Sequence, residues 1–295
     1  MAADVGTVLL GSGVLRGMRA RPAEPVRFEL QLDERAIALN DCLGQTLRLE
    51  FDGRITCRHC GAATRKSYAD GHCYDCFKTL ASCDLCVVAP VRCHHAAGTC
   101  REPAWGDAFC MQPHVVYLAN SAGLKVGLTK PEHLPGRWLD QGASEALPIF
   151  ATRTRQQAGF VEAALAQFVS DRTDWRRLVR GDADSLDLSQ CAAQLLLRAA
   201  PALAEVDARF PGTLERLDAV VERFVYPVLR YAAPARALTL VAGRPLQAEL
   251  LGIKGQYLLF DCGVFNVRRH AAYHLTLSRT AAHPRVGDDQ LELFG

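Results

Sequence analysis

The sequence predicts an α+β protein, with β-rich segments at both ends, a cysteine-rich block and a small mixed α/β core between them, and a helical segment. Three observations carry this reading. Residues 26–32 (VRFELQL) and 46–51 (TLRLEF) alternate apolar and polar side chains, the period of a half-buried strand. Nine of the twelve cysteines fall between Cys57 and Cys110. Leu195, Leu196, Leu203, Phe210, Leu214, Leu217, Val221, Phe224 and Val225 recur near helical spacing. A chain of 295 residues, 49% hydrophobic and 22% charged, is not a disordered one. Its length suits two domains or one decorated domain. No apolar run approaches the ~20 residues of a membrane span. The start, MAADVGTVLLGSGVLRGMRA, has a short apolar part and no basic lead. The expectation is a soluble, cytoplasmic protein with no membrane partner.

Taken in order, residues 1–56 read as β, with Asn40 and Gly44 as turn signals. The block 57–110 has too few large apolar residues to build its own core. In the core, 111–180, residues 115–119 and 124–129 form a hairpin pattern around a turn at 120–123. An amphipathic helix follows over about 154–169. The segment 181–235 is expected to be helical, interrupted at Pro201 and Pro211. Strand character returns within 236–283, at 238–241, 248–251 and 257–260, before a polar tail, 284–295. Residues 14–18 (VLRGM) and 249–253 (ELLGI) share a small pattern. The two terminal β segments are therefore expected to pack as one module, although no true repeat is visible.

Crowded cysteines in a reducing compartment point to metal ligation rather than disulfides. Cys57-x2-Cys60 and Cys73-x2-Cys76 are two knuckles separated by twelve residues, each presenting two thiolates from one tight turn. That is a zinc-ribbon-like pattern, and the four thiolates suit one tetrahedral Zn2+. Gly61 follows the first knuckle, where a free backbone helps the turn. Cys83-x2-Cys86 opens a second set. Its simplest closure is Cys83, Cys86, Cys93 and Cys100. His94 is an alternative to Cys93, and Cys110 with His114 either joins this site or helps form a third. Interleaved pairing stays open, as does an iron–sulfur cluster, since thiolates serve both metals. Cys42, Cys191 and Cys262 stand alone in apolar surroundings and read as core residues. The metal sites are expected to be structural, making the block a platform.

In the core, Tyr117 lies on the first strand, KVGLT (125–129) on the second, Arg137 beyond it and Glu162 on the amphipathic helix. In this order and spacing the segment resembles the GIY-YIG endonuclease superfamily over about 60 residues. Lys125 stands where that family usually has a tyrosine, and Asp140-Gln141-Gly142 where it often has a histidine. Through CYDCFKTLASCDLC, GTCREPAWG and VYLANSAGLKVGLTK, most of the chain also resembles an uncharacterised bacterial family carrying a domain of unknown function. The endonuclease resemblance implies metal-dependent phosphodiester hydrolysis. Glu162 would hold Mg2+ or Mn2+, Arg137 would grip the phosphate, and Tyr117 would orient or deprotonate the water with Lys125 lowering its pKa.

The net charge of +2 hides local imbalance. Residues 54–101 hold seven basic and three acidic side chains and 125–180 nine and six, whereas 181–224 hold four and eight. A phosphate-rich partner, DNA with RNA as the alternative, suits the basic segments. Lys66 on the platform, and Arg172, Trp175, Arg176 and Arg177 in DRTDWRRLVR, are the candidate contacts. Cations closing a helix are the plain alternative for the second group. The ending QLELFG resembles the short peptide with which bacterial DNA polymerases and repair proteins dock on the sliding clamp. Gln290, Leu291, Leu293 and Phe294 would make that contact. The sequence thus points to a zinc-containing nucleic-acid-binding protein in DNA repair or processing, either an endonuclease or a non-cleaving adaptor.

Overall fold

The computed structural model describes residues 6–169, 174–182, 185–233 and 235–280. Four strands come first, β1 (Thr7–Arg21), β2 (Arg27–Leu32), β3 (Arg35–Ala38) and β4 (Thr46–Ile55). The cysteine block contributes three short helices, α1 (Tyr74–Thr79), α2 (Leu85–Val88) and α3 (Pro103–Phe109). The core follows with β5 (His114–Asn120), β6 (Leu124–Thr129), α4 (Gly136–Asp140), β7 (Glu145–Thr152) and α5 (Arg155–Ala166). Next are α6 (Trp175–Arg180), α7 (Leu188–Arg209), β8 (Glu215–Arg216) and β9 (Glu222–Arg223). The chain ends its described part with β10 (Ala237–Leu238), β11 (Leu246–Lys254), β12 (Tyr257–Phe260), β13 (Gly263–Asn266) and β14 (Tyr273–Thr280). Among the described residues, no helix is long and apolar enough to cross a membrane.

The two terminal β segments join in one sheet of order β10-β13-β12-β11-β4-β14-β1-β2-β3. They are two copies of one motif. Each copy runs long strand, hairpin, short 3-10 turn, long strand: β1-β2-β3, Asn40–Cys42, β4, and β11-β12-β13, Arg268–His270, β14. The details match. Each first strand is bulged at a glycine, Gly17 in one and Gly252 in the other. Asp33 accepts from the Val14 backbone N–H and Asp261 from that of Glu249. Leu39 donates to the Phe28 carbonyl, and Val267 to that of Gln256. The copies also exchange bonds. Gly44 N–H donates to the Leu250 carbonyl and Ala272 N–H to the Leu15 carbonyl, both at 2.8 Å. Between them β4 pairs antiparallel with β14, and Leu49 faces its counterpart Leu277 across the pseudo-twofold axis. The chain thus does contain an internal repeat. In sequence it is carried only by sparse positions, the apolar alternation, the bulge glycine and the aspartate, because each copy needs little else to form its strands and turn.

The cysteine block and core are inserted between the copies. A smaller sheet, order β6-β5-β7-β8 with β9 also on β7, has two covered faces. Val116, Leu118 and Leu128 point to α5 and α7, where Val161, Leu165, Leu195 and Leu203 complete an apolar core. Tyr117 and Ala119, on the other face, meet Trp138 of α4. The next residue on α4, Leu139, belongs to the core of the large sheet, so this helix ties the two units together. Helix α5 starts with a capping box, Thr154 accepting from Gln157 N–H and Gln157 closing back on the cap backbone.

Two expectations fail here. Pro201 does not break α7, whose 22 residues run through it. Leu188, Ala192, Leu195, Ala199, Leu203 and Val206 bury one stripe, enough to outweigh a cost of about 3 kcal/mol for an interior proline. Residues 210–232 are not helical. Pro211-Gly212 ends α7, and the chain continues extended, placing β8 and β9 on β7 and carrying Phe224 and Tyr226 to the junction with the large sheet. Of the lone cysteines, Cys42 is buried and Cys191 half-buried. Cys262 is exposed, because it occupies the β12–β13 turn rather than a core position.

Candidate functional site

Cys57, Cys60, Cys73 and Cys76 converge, their four Sγ atoms all lying within 4.8 Å of one another. Two tight turns place them. Gly61, with φ of 73°, lets its N–H return to the Cys57 carbonyl. Cys73 caps α1, its sulfur accepting from Cys76 N–H. The Sγ atoms of Cys60 and Cys73 are 3.7 Å apart. Burial alone would raise the Cys57 thiol, but backbone N–H groups of Cys60, Cys73 and His59 outweigh it and bring the thiol down to about 6. Burial and the neighbouring thiols push Cys76 up instead. Four sulfurs this close cannot all ionise without a cation, and this donor set fits one tetrahedral zinc ion. The knuckles are anchored to the second β copy, since Arg268 Nε donates to Asp70 at 2.8 Å.

The second set divides differently from the simplest sequence closure. Cys83 packs against Cys57, Cys73, Cys76 and Leu80, beside the first site. Cys86, Cys93, Cys100 and Cys110 line one cavity with Asp84, His94 and His95. The tightest trio there is Asp84, Cys86 and His94, again within 4.8 Å. Burial raises the Cys110 thiol to about 11, offset by Arg155 and reinforced by Cys93, Cys86 and Cys100. His114 is fully buried on β5 and does not line that cavity.

Of the core residues, Tyr117 packs over Gly127. Tyr117 faces Gly127 in the β5–β6 register, and a Cβ there would stand 2.7 Å from the tyrosine ring. Lys125 lies two residues away on the same strand face, opposite Ala119. The Tyr117 phenol is 1% exposed and donates to Gln141 Oε1 at 2.9 Å. Burial pushes it up, Arg137 draws it down and Glu162 raises it further, so both charged partners act on it. The causes acting on the phenol are led by its own burial. Desolvation dominates, and Arg137 is the cation acting most strongly. Glu162, half-buried, lines a groove of about 250 Å³ with Val88, Pro90, Val91, Val126 and Gly159. Two residues escaped the sequence reading. Gln141, named only as standing where the family often has a histidine, accepts the phenol's hydrogen bond. Arg155, on the same face two turns before Glu162 on α5, has its pKa lowered by burial, opposed by Cys110 and Glu162 and reinforced by Arg137. The spacing of seven was the available signal.

Of the candidate nucleic-acid contacts, Lys66 is exposed above the Tyr68 ring. Arg176 is exposed and lies over Trp175, which stacks on Tyr257 at 6.0 Å. Trp175 and Tyr257 line a cavity of about 480 Å³ with Arg269, His270 and Tyr273. Arg177 is half-buried on α6. Arg172 and the clamp-docking residues Gln290, Leu291, Leu293 and Phe294 lie outside the described residues.

Residues 44–275 match the model of a family described as "Protein of unknown function (DUF2797)", and the chain belongs to that family. No curated protein matches it. No solved structure matches it.

Proposed function

For this member of a family of unknown function, we propose a zinc-containing nucleic-acid-binding protein whose GIY-YIG-like core hydrolyses phosphodiesters. The observation that supports the reading is Tyr117 packed over Gly127, a buried phenol whose proton affinity responds to both Arg137 and Glu162. A backbone that closes on a tyrosine ring, with a guanidinium and a carboxylate near enough to act on its phenol, suits a phosphate-handling site. Arg137 would hold two phosphate oxygens through its planar fork. Tyr117, kept neutral by burial, would position through its O–H rather than act as a base. Glu162, opening on the groove, is the carboxylate for a Mg2+ or Mn2+ ion, which when bound supplies neutralisation of the charge growing at phosphorus. The zinc platform and the Trp175–Tyr257 cavity would grip the rest of the substrate, the rings offering faces to a base.

Purified protein incubated with single-stranded, duplex and branched DNA or RNA, with and without Mg2+ or Mn2+, is expected to cleave one of them. Glu162→Ala and Arg137→Ala should each lose at least about 100-fold in rate. Cleavage unchanged in Glu162→Ala would remove this site from consideration. The burial of Tyr117 and its bond to Gln141 favour a second reading, a non-cleaving nucleic-acid adaptor. Binding without cleavage under every metal condition would select it. Recruitment by the sliding clamp belongs to both readings, and deletion of 290–295 should abolish clamp binding.

A further inference from the structure

We infer that the chain carries a second tetrathiolate zinc site, formed by Cys86, Cys93, Cys100 and Cys110, with Cys83 left outside both sites. All four line a cavity of about 10 Å³, room for a single ion or water. They reach it from four separate places: Cys86 on α2, Cys93 after the 3-10 turn Pro90–Arg92, Cys100 before α3, and Cys110 at its end. The competing donors also hold other partners. His94 Nδ1 bonds Thr99 Oγ1 at 2.8 Å, and its Nε2 lies 3.5 Å from Asp84. Asp84 is itself paired with Arg101 Nε at 2.8 Å, and His95 Nε2 is 3.0 Å from Asp107. The four thiols are the set that would close round the ion. Gly106, one turn before Cys110, makes room for them, since a Cβ there would stand 3.3 Å from Cys100 Sγ and 2.7 Å from the His95 ring.

The segment also needs such a cross-link. Helix α2 has 4 residues and α3 has 7, too short to persist alone, and Ala81, Pro90, Gly106 and Cys110 are its only buried residues. A metal held by four thiolates replaces the missing core.

The site would brace α5. Arg155 Nη2 donates to the Val87 carbonyl at 2.6 Å, and Gln156 Nε2 to the carbonyl of Cys93, itself a donor residue, at 3.1 Å. Gly159 lets Pro90 close on the helix, a Cβ there meeting the ring at 2.5 Å. The same 88–91 stretch walls the groove that Glu162 opens on. This bracing of the catalytic groove rests on the nuclease reading, whereas the metal site does not.

The test is metal content of the full chain by elemental analysis, with cobalt substitution as the second measurement. Two zinc ions per chain are expected, falling to one in Cys93→Ser/Cys100→Ser and to one in Cys57→Ser/Cys60→Ser. Cobalt-loaded unmutated protein should show twice the sulfur-to-cobalt charge-transfer intensity of a single four-thiolate site. One zinc per chain in the unmutated protein, or two retained in Cys93→Ser/Cys100→Ser, would overturn the proposal. So would a cobalt spectrum of one four-thiolate site plus one sulfur, the signature of Asp84, Cys86 and His94. The cobalt measurement needs no variant, so a misfolded variant leaves the outcome decisive. Absence of cleavage does not alter the metal count. Cleavage that survives loss of the second metal removes only the bracing role.

Discussion

His114 illustrates how burial sets chemistry one residue at a time. It is fully buried, its Nδ1 donates to the Gln112 carbonyl at 2.9 Å, and its Nε2 has no hydrogen-bond partner among the described residues. Burial, opposed by that carbonyl and reinforced by Arg155 and Lys130, draws its pKa down to about 4. The unfolded chain therefore takes up this proton first as pH falls. The stability it contributes is whole above about pH 6.5 and is lost progressively toward pH 4, up to about 3 kcal/mol. His114→Phe should flatten that part of the pH dependence, read as denaturant midpoints at pH 7.5 and 5.5 relative to the parent. An equal slope in both proteins would exclude the imidazole as its source. Gly127 makes the complementary point. Gly127→Ala forces the Tyr117 ring aside and should cost about 1–3 kcal/mol in urea unfolding.

Among the elements, the knuckles are expected to depend on metal and the long helices on packing. Helix α1 has 6 residues and no apolar stripe of its own, so the folding energy of 57–80 would come from ligand bonds. Chelation or Cys73→Ser should expose 57–80 to protease while the far sheets stay protected. Unaltered protease resistance in metal-free protein would show that packing alone holds the block, and iron in place of zinc would overturn the zinc assignment. The paired C-x2-C spacing made the first site legible, because both ligand pairs are local turns. The second set was not legible to the same degree. Cys83 and Cys86 look like a third knuckle, yet the turn Ala81–Cys83 packs Cys83 beside the first cluster and α2 carries Cys86 to the cavity lined by Cys93, Cys100 and Cys110. Helix α7 misled in the opposite way, since its proline is tolerated by tertiary burial that no local signal reports.

For the whole molecule, the two β copies form a frame closed at the β4–β14 pair, with the cysteine block and core suspended between them. Leu49 and Leu277 face each other there, 1% exposed each. Leu49→Ala and Leu277→Ala should each cost about 2–5 kcal/mol, in similar amounts if the repeat is energetic as well as geometric. Because they are register partners, the double variant should depart from additivity, measured as a double-mutant cycle in chemical unfolding. Strict additivity would show that the axis contact is not shared.

By itself the sequence determined what short-range physics controls. Alternation marked the strands, a turn-prone 120–123 marked the hairpin, and paired knuckles marked the first cysteine cluster, each knuckle or turn set by residues within a few positions of one another. Only the tertiary structure decided that the terminal segments are two copies exchanging backbone bonds between Gly44 and Leu250 and between Ala272 and Leu15. It alone sorted Cys83 from Cys86 and buried the Tyr117 phenol against Gln141. The physical reason is the same in each case. Desolvation, ligand sharing and strand pairing depend on groups far apart in the chain, and no local pattern records which of them will meet.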